Sequence, residues 1–399
     1  MDANEILLEF LRHEPEAFRA WQDENRPRLP VPITPTQLLA FRPDADPGEL
    51  IPRRYLCKGG SVLIAGPTGV GKSSFLMQFA IHATVKRDLF GMRFARPMKV
   101  VIVQAENDEG DLAESFQGVF FSLQAGGAGV EPLSAADIAL IHANLVFFRE
   151  TTRTGADFAS LLREIAAQYH PDFILVDPAF SYLGADASSQ KDVSLWLRNQ
   201  INPVLMDTGV CLLLSHHTNK PLRGKDKKDT WQGTDFAYLG AGSAEWANWA
   251  RAVIGLQRTQ IPGIYLLTVA KRGGRLGWRD AEDKPTLDRF IAHAREPGKV
   301  YWREPDLAEV QSLNQKGAQE GYRRLPEVFK TDTEREAGLS PEEVMRRAKE
   351  IGITTSASDD ALAVTRRRWI TGKKASAIEH GILEFIGEHV RPVQREIPF

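Results

Sequence analysis

The residues most suited to chemistry lie in one short run, Gly66-Pro67-Thr68-Gly69-Val70-Gly71-Lys72-Ser73, followed by Ser74. The run matches the phosphate-binding pattern G-x-x-x-x-G-K-[ST] at every fixed position. Glycines allow backbone N–H groups to turn inward around β- and γ-phosphates with no side chain in the way. Those phosphates also meet the positive end of the helix that follows. Lys72 supplies a mobile positive charge to the γ-phosphate, and the Ser73 hydroxyl suits Mg²⁺. A glycine-rich turn that binds nothing is the other reading. Against it stand the apolar run Ser61-Val62-Leu63-Ile64-Ala65 just before and a helical pattern over 74–81 just after, the strand–loop–helix context such a loop requires. A nucleoside triphosphate site contacted by residues 66–74 is therefore expected.

Cleaving a terminal phosphoryl group also requires a second Mg²⁺ anchor, a group that positions water, and positive charge on the γ-phosphate. Phe173-Ile174-Leu175-Val176-Asp177 reads as an apolar strand ending in a carboxylate, and Asp177 is expected to hold Mg²⁺ through water. Val100-Val101-Ile102-Val103-Gln104-Ala105-Glu106 ends the same way. No glutamate follows Asp177, so the base must come from elsewhere, and Glu106 is the candidate. Its bland alternative is to cap the next helix together with Asn107 and Asp108. A further strand ends in Ser215-His216-His217-Thr218-Asn219-Lys220. Adjacent side chains on an extended backbone point to opposite faces, so at most one histidine faces the phosphate. We assign that role, a γ-phosphate sensor, to His216, with a satisfied structural histidine as the alternative. Residues 221–230 carry Arg223, Lys225, Lys227 and Lys228, diluted by Asp226 and Asp229. They form either a contact to a nucleic acid backbone or a solvated loop.

Positioning these groups requires a sheet. Short apolar runs at 62–65, 100–103, 145–148, 173–176, 210–214, 252–256 and 265–270 alternate with helical patterns at 73–84, 157–169 and 193–207. Fully apolar strands between helices indicate an α/β fold with a mostly parallel sheet covered on both faces, the last runs adding antiparallel strands at one edge. The expected organisation is an N-terminal helical arm and proline-rich linker over 1–53, the α/β core over 54–280, a connector over 281–335 and a small helical C-terminal domain over 336–399. Ser340-Pro341-Glu342-Glu343 opens a helix that ends near Gly352. A second helix is expected over 359–370, with Arg366-Arg367-Arg368 on it and Gly372 just beyond, and a third over 376–389. A winged helix is one form such a domain takes.

Composition narrows the partners. The 399 residues include 43% hydrophobic ones, enough for a real core in two or three domains. A formal net charge of −2 excludes a uniformly basic nucleic-acid binder, leaving local patches. Cys57 and Cys211 read as buried free thiols, which fits a reducing compartment, and the histidines and cysteines lack zinc-ligand spacing. No apolar run approaches the ~20 residues that span a bilayer, and the acidic N-terminus lacks the order of a signal peptide. A cytoplasmic protein without a membrane partner is expected.

Together these motifs resemble those of RecA-type ATPases and, within them, the plasmid RepA-like hexameric helicases. The resemblance is carried by Asp177-Pro178, then His216-His217-Thr218-Asn219-Lys220, then Gly242-Ser243 and Ala250-Arg251, and covers residues 50–280. It implies a RecA-like P-loop NTPase core that uses ATP and Mg²⁺, and a homo-oligomer, a hexameric ring with ATP between neighbouring subunits. It further implies a helicase acting on single-stranded DNA. Arg251 matches the position of an arginine finger offered to the neighbour's ATP, and Lys271, beside Arg272, matches a basic catalytic position. The turn Leu239-Gly240-Ala241-Gly242-Ser243 lacks the arginine that the family often carries there. Neither flank shares the resemblance, so the C-terminal domain is left as a candidate contact for duplex DNA or a replication protein. An ATP-dependent DNA-binding switch without unwinding activity is the alternative. A small-molecule kinase is disfavoured, because no acceptor-binding lid is recognisable.

Overall fold

The computed structural model describes residues 31–127, 129–218, 243–259, 261–306, 308–310, 322–351, 353–354, 359–371, 376–378 and 382–393. The arm over 1–25, Asn219-Lys220, the basic loop over 221–230, the turn residues 239–242, Gly352, Gly372 and the side chain of Arg368 lie outside the described residues. The chain divides into two compact units, residues 1–47 and 48–399. In the first, Pro35–Ala40 form a short helix, α1, where an extended linker was expected. Its start is fixed by a capping box in which Thr34 and Gln37 bond each other's backbone N–H.

The second unit opens with a small antiparallel pair, β1 (Glu49–Ile51) and β2 (Leu56–Cys57). Strand β3 (Ser61–Gly66) follows, buried at every position, and leads into helix α2 (Lys72–Val85). Next come β4 (Val100–Gln104), α3 (Glu109–Ala125), α4 (Ala135–Asn144), β5 (Leu145–Arg149), α5 (Gly155–Tyr169) and β6 (Phe173–Asp177). The helix expected over 193–207 runs from 190 to 208 in three parts: α6 (Gln190–Ser194), a π-helical stretch (Leu195–Ile201) and α7 (Asn202–Thr208). After it lie β7 (Cys211–His217), α8 (Glu245–Trp249), β8 (Ala252–Arg258), β9 (Ile264–Lys271), β10 (Asp288–His293) and β11 (Trp302–Arg303). Among the described residues no helix is long and apolar enough to cross a membrane.

The described strands of the central sheet are ordered β11-β10-β9-β8-β3-β7-β6-β4-β5. Pairing is parallel from β8 through β3, β7, β6 and β4 to β5, and antiparallel from β8 through β11. This is the α/β architecture expected, a mostly parallel sheet with an antiparallel edge. Because successive side chains alternate between faces, the sheet has two cores. Ile64, Ile102, Leu175 and Leu213 join Phe75 and Phe79 of α2 on one face. Leu63, Val103, Val176 and Leu214 join Phe158 of α5, Trp196 and Trp246 on the other.

Two expectations need correction. The segment 281–335 is not merely a connector, since β10 and β11 extend the main sheet from within it. Its Pro and charged residues obscured strands whose burial is only partial in β10. The third C-terminal helix, expected over 376–389, is instead a hairpin of β12 (Leu383–Ile386) and β13 (His389–Pro392). Ile386 pairs with His389, leaving the two-residue turn Gly387-Glu388, and Gly387 takes the positive φ (+61°) that its first position demands. The hairpin packs with α9 (Asp332–Ala337), α10 (Pro341–Glu350) and α11 (Asp359–Thr371), the last two matching the helices read from sequence. Met345, Trp369, Leu383 and Val390 are among its buried residues. Leu339 bonds Val390 through both backbone groups, adding a third extended segment beside the hairpin.

Phe79 lies edge-on to Phe94 and Phe173, with centroids 5.2 and 5.6 Å away, locking α2 to the sheet. Phe79→Ala is expected to lower stability by about 3–5 kcal/mol, measurable as a drop in denaturant midpoint.

Candidate nucleotide site

Strand register builds the site. Gly66 at the end of β3 pairs with His217, and Gln104 at the end of β4 pairs with Asp177. The carboxyl ends of four adjacent parallel strands therefore reach one edge, the crevice where ligands bind in open α/β sheets. Alternation then selects the face. Asp177 has the parity of Leu175, and His217 that of Leu213, so both project to the side covered by α2.

The loop between β3 and α2 needs its glycines. Gly69 and Gly71 adopt φ of +69° and +96°. A Cβ at Gly66 would lie 2.7 Å from the Leu256 carbonyl oxygen, and one at Gly71 2.6 Å from Trp302 Cζ2. Lys72 Nζ donates to the carbonyl oxygens of Gly66 (2.8 Å) and Pro67 (3.0 Å) and to His217 Nδ1 (3.0 Å). Burial pulls its ammonium down to about 8, opposed by the carboxylates of Asp177 and Glu106. Both acids are thus near enough to act on the same charge. Phosphate oxygens beside Lys72 favour its charged form.

Asp177 is buried, and Gln104 Nε2 donates to its Oδ2 at 3.1 Å. Ser73 is exposed, and its hydroxyl has no partner among the described residues. A hydroxyl and a carboxylate on the phosphate-facing edge fit Mg²⁺, which takes few protein ligands and fills its octahedron with water and phosphate oxygens. Glu106 stands exposed just past β4. The helix cap that competed for it is taken by Asp108, whose side chain accepts from Asp111 N at 2.8 Å. Arg149 Nε holds the same turn through the Asn107 carbonyl at 3.0 Å.

Several expected residues fall elsewhere. His216 points to the opposite face, its ring centroid 4.5 Å from that of Trp246. Its Nδ1–H donates to the His217 carbonyl at 2.6 Å, and burial pushes its pKa down to about 4. The histidine brought to Lys72 is His217, and not His216 as expected. His217 Nδ1 also lies 3.4 Å from Thr68 Oγ1, and burial, then the Lys72 charge, lower its pKa. Arg251 is exposed and its backbone N bonds Ser61 O at 2.9 Å, so it sits at the start of β3. At ~3.3 Å per residue that is about 16 Å along the strand from Gly66, out of reach of its own loop. Lys271 pairs with Val253 at the same far end, and its Nζ donates to the carbonyls of Ala247 and Asn248 (3.1 Å each) and Ala250 (2.5 Å). It closes the end of α8 beside Arg251, away from its own nucleotide loop.

Two residues escaped sequence reasoning. Arg258, at the carboxyl end of β8, donates from Nη2 to Gly69 O at 2.9 Å. A polar residue closing an apolar strand next to the loop strand is the signal that picked Asp177 and Glu106, and it was available here. Trp302 Nε1 donates to Ser74 Oγ at 3.1 Å, and its backbone exchanges bonds with Gln78 (2.6 and 2.8 Å). No local pattern marks it, because it lies more than two hundred residues from the loop it braces.

Residues 26–222 match a family model described as an AAA domain. No curated protein matches the chain. The match covers the loop, Glu106, Asp177 and His217, and with the sheet order it makes this segment a P-loop ATPase domain, a nucleotide-binding module.

The two histidines separate by experiment. His217→Ala is expected to lower ATP turnover at least tenfold with an unchanged unfolding midpoint. His216→Ala should lower stability while each folded molecule keeps its turnover. His82 and His216, both held near 4 by burial, are neutral when folded and bind protons below about 6.5 when unfolded. The unfolded chain then carries more protons, so the melting temperature should fall as pH drops from 6.5 towards 4. A flat profile would contradict the burial of both rings.

Proposed function

We propose that the chain is an ATP-hydrolysing motor of the RecA-like type, a RepA-like helicase working on single-stranded DNA as a ring of identical subunits. The observation that carries the reading is the convergence of Lys72, Asp177, Glu106 and His217 at one sheet edge. In this arrangement Glu106 orients a water and takes its proton as the oxygen attacks the γ-phosphorus. The bond to the β–γ bridging oxygen breaks, and ADP leaves with inorganic phosphate. Lys72 balances the negative charge that builds on the transferred group. Mg²⁺ held by Ser73 and Asp177 would supply further neutralisation. His217, bridging Lys72 and the loop, is the group through which loss of the phosphate reaches the end of β7. Arg251 supports the ring reading, since it is exposed and remote from its own loop but available to a neighbour's.

A second reading, an ATP-dependent switch that binds duplex DNA without unwinding it, rests on the three helices and hairpin of the C-terminal region. That order suits a winged helix, with α11 as the element that would enter a groove. Arg366 of α11 is ion-paired to Glu342, which weakens its case as a phosphate contact.

The deciding assay measures ATP hydrolysis with and without single-stranded DNA, alongside the mass of the assembly. Stimulation by the strand in a multi-subunit particle is expected, and a monomer indifferent to DNA rejects the reading. Glu106→Gln should bind ATP normally and turn over at least a hundredfold more slowly, so that ATP stays trapped. Arg251→Ala mixed with Lys72→Ala should recover part of the lost activity, because mixed seams pair an intact loop with an intact arginine. No recovery in mixed particles would show that Arg251 does not act across a seam.

A further inference from the structure

A cleft of about 250 Å³ opens where the β1–β2 turn, the segment after α2 and the β9–β10 connection meet. Its wall includes Arg53, Arg93, Arg275 and Arg289 with Trp278 and Gly91, and none of the described residues lining it is acidic. The arginines keep most of their donors. Arg53 spends Nη2 on the Leu276 carbonyl (3.0 Å), and Arg275 spends Nη1 on the Arg53 carbonyl (3.0 Å). These bonds fix the guanidinium groups in place without neutralising them. The carboxylates that reach the set do so from outside the lining: Asp88 beside Arg93 at 3.5 Å and Glu304 beside Arg289 at 3.0 Å. Arg289 stacks over the Trp278 ring at 5.1 Å. Two donors in this wall, Trp278 Nε1 and Arg289 Nε, are buried without a partner among the described residues.

The charge continues beyond the cleft. Burial, then the neighbouring charges of Arg275, Arg251 and Arg54, hold the Arg272 guanidinium below its usual range. Like charges crowded this closely repel, and in a chain whose overall charge is −2 this excess is local. Guanidinium forks match phosphate geometry, and a strip longer than one anion matches a polyanion better than a single small ion.

We propose that this arginine cleft and the strip leading from it bind the sugar-phosphate backbone of a single nucleic acid strand, one phosphodiester seating in the cleft. The proposal rests on the reading of the chain as a DNA motor and adds to it a site in the antiparallel part of the core, away from the nucleotide loop. Trp278 is buried, so it braces Arg289 and offers no face for base stacking, and binding through phosphates alone should be indifferent to sequence and steep in salt.

The test uses the full chain and fluorescence anisotropy of a labelled single-stranded oligonucleotide. The double variant Arg93→Glu/Arg275→Glu is compared with Arg163→Glu/Arg335→Glu, an equal charge change at positions outside the cleft. The cleft variant should bind at least about tenfold more weakly than the control, with a shallower dependence on salt and unchanged ATP affinity. Should the double reversal fail to fold, Arg93→Ala is read instead, since that side chain is largely exposed and its loss is expected to weaken binding several-fold. If wild type binds the strand and cleft and control variants bind equally well, the cleft assignment is overturned while the motor reading stands. If wild type binds ATP but no strand, both fall.

Discussion

Parallel pairing in register brings Gly66 level with His217 and Gln104 level with Asp177, and every feature of the nucleotide site depends on that levelling. A one-residue slip of β6 or β7 would send Asp177 or His217 to the face opposite α2 and break the site. Full burial protects against such a slip: β3, β4 and β6 are buried throughout, so a shifted strand would also exchange its apolar partners in both cores. The chemistry is therefore held in place by packing several residues away from it. Phe79 locks α2 from one side, and Trp302 ties Ser74 and Gln78 to the antiparallel edge.

The two ends of the sheet carry opposite assignments. At the carboxyl end, the buried Asp177, the exposed Glu106 and a lysine whose charge is opposed by burial surround a glycine loop. At the other, Arg251, Lys271 and Arg272 crowd together with Arg275. On the proposed reading, the far end serves a neighbour's phosphate or a strand. Lys271 illustrates how the far end is organised, since three carbonyls around α8 fix its ammonium and with it the backbone that presents Arg251.

Much of this was legible in the sequence because the relevant signals are local. The loop motif, the apolar strands ending in Asp177 and before Glu106, and the cap at Ser340 are each written within a few residues. The choice between His216 and His217 was not, although alternation already required that only one face the phosphate. Deciding which needed the knowledge that α2 covers the face of Leu213 and not that of Leu214. The β10 and β11 strands, Trp302 and the arginine cleft are assembled from distant segments, so no window of sequence contains them. The C-terminal hairpin was missed for a different reason: its strands are four residues each, too short for period two to stand out from a helical pattern.

The central claim is that Lys72 and the groups around it cut a triphosphate. The most direct measurement is steady-state ATP hydrolysis by Lys72→Ala, with its circular dichroism and melting temperature compared with wild type. Loss of turnover to background in a protein that stays folded is the predicted result. Turnover equal to wild type in that folded variant would contradict the account.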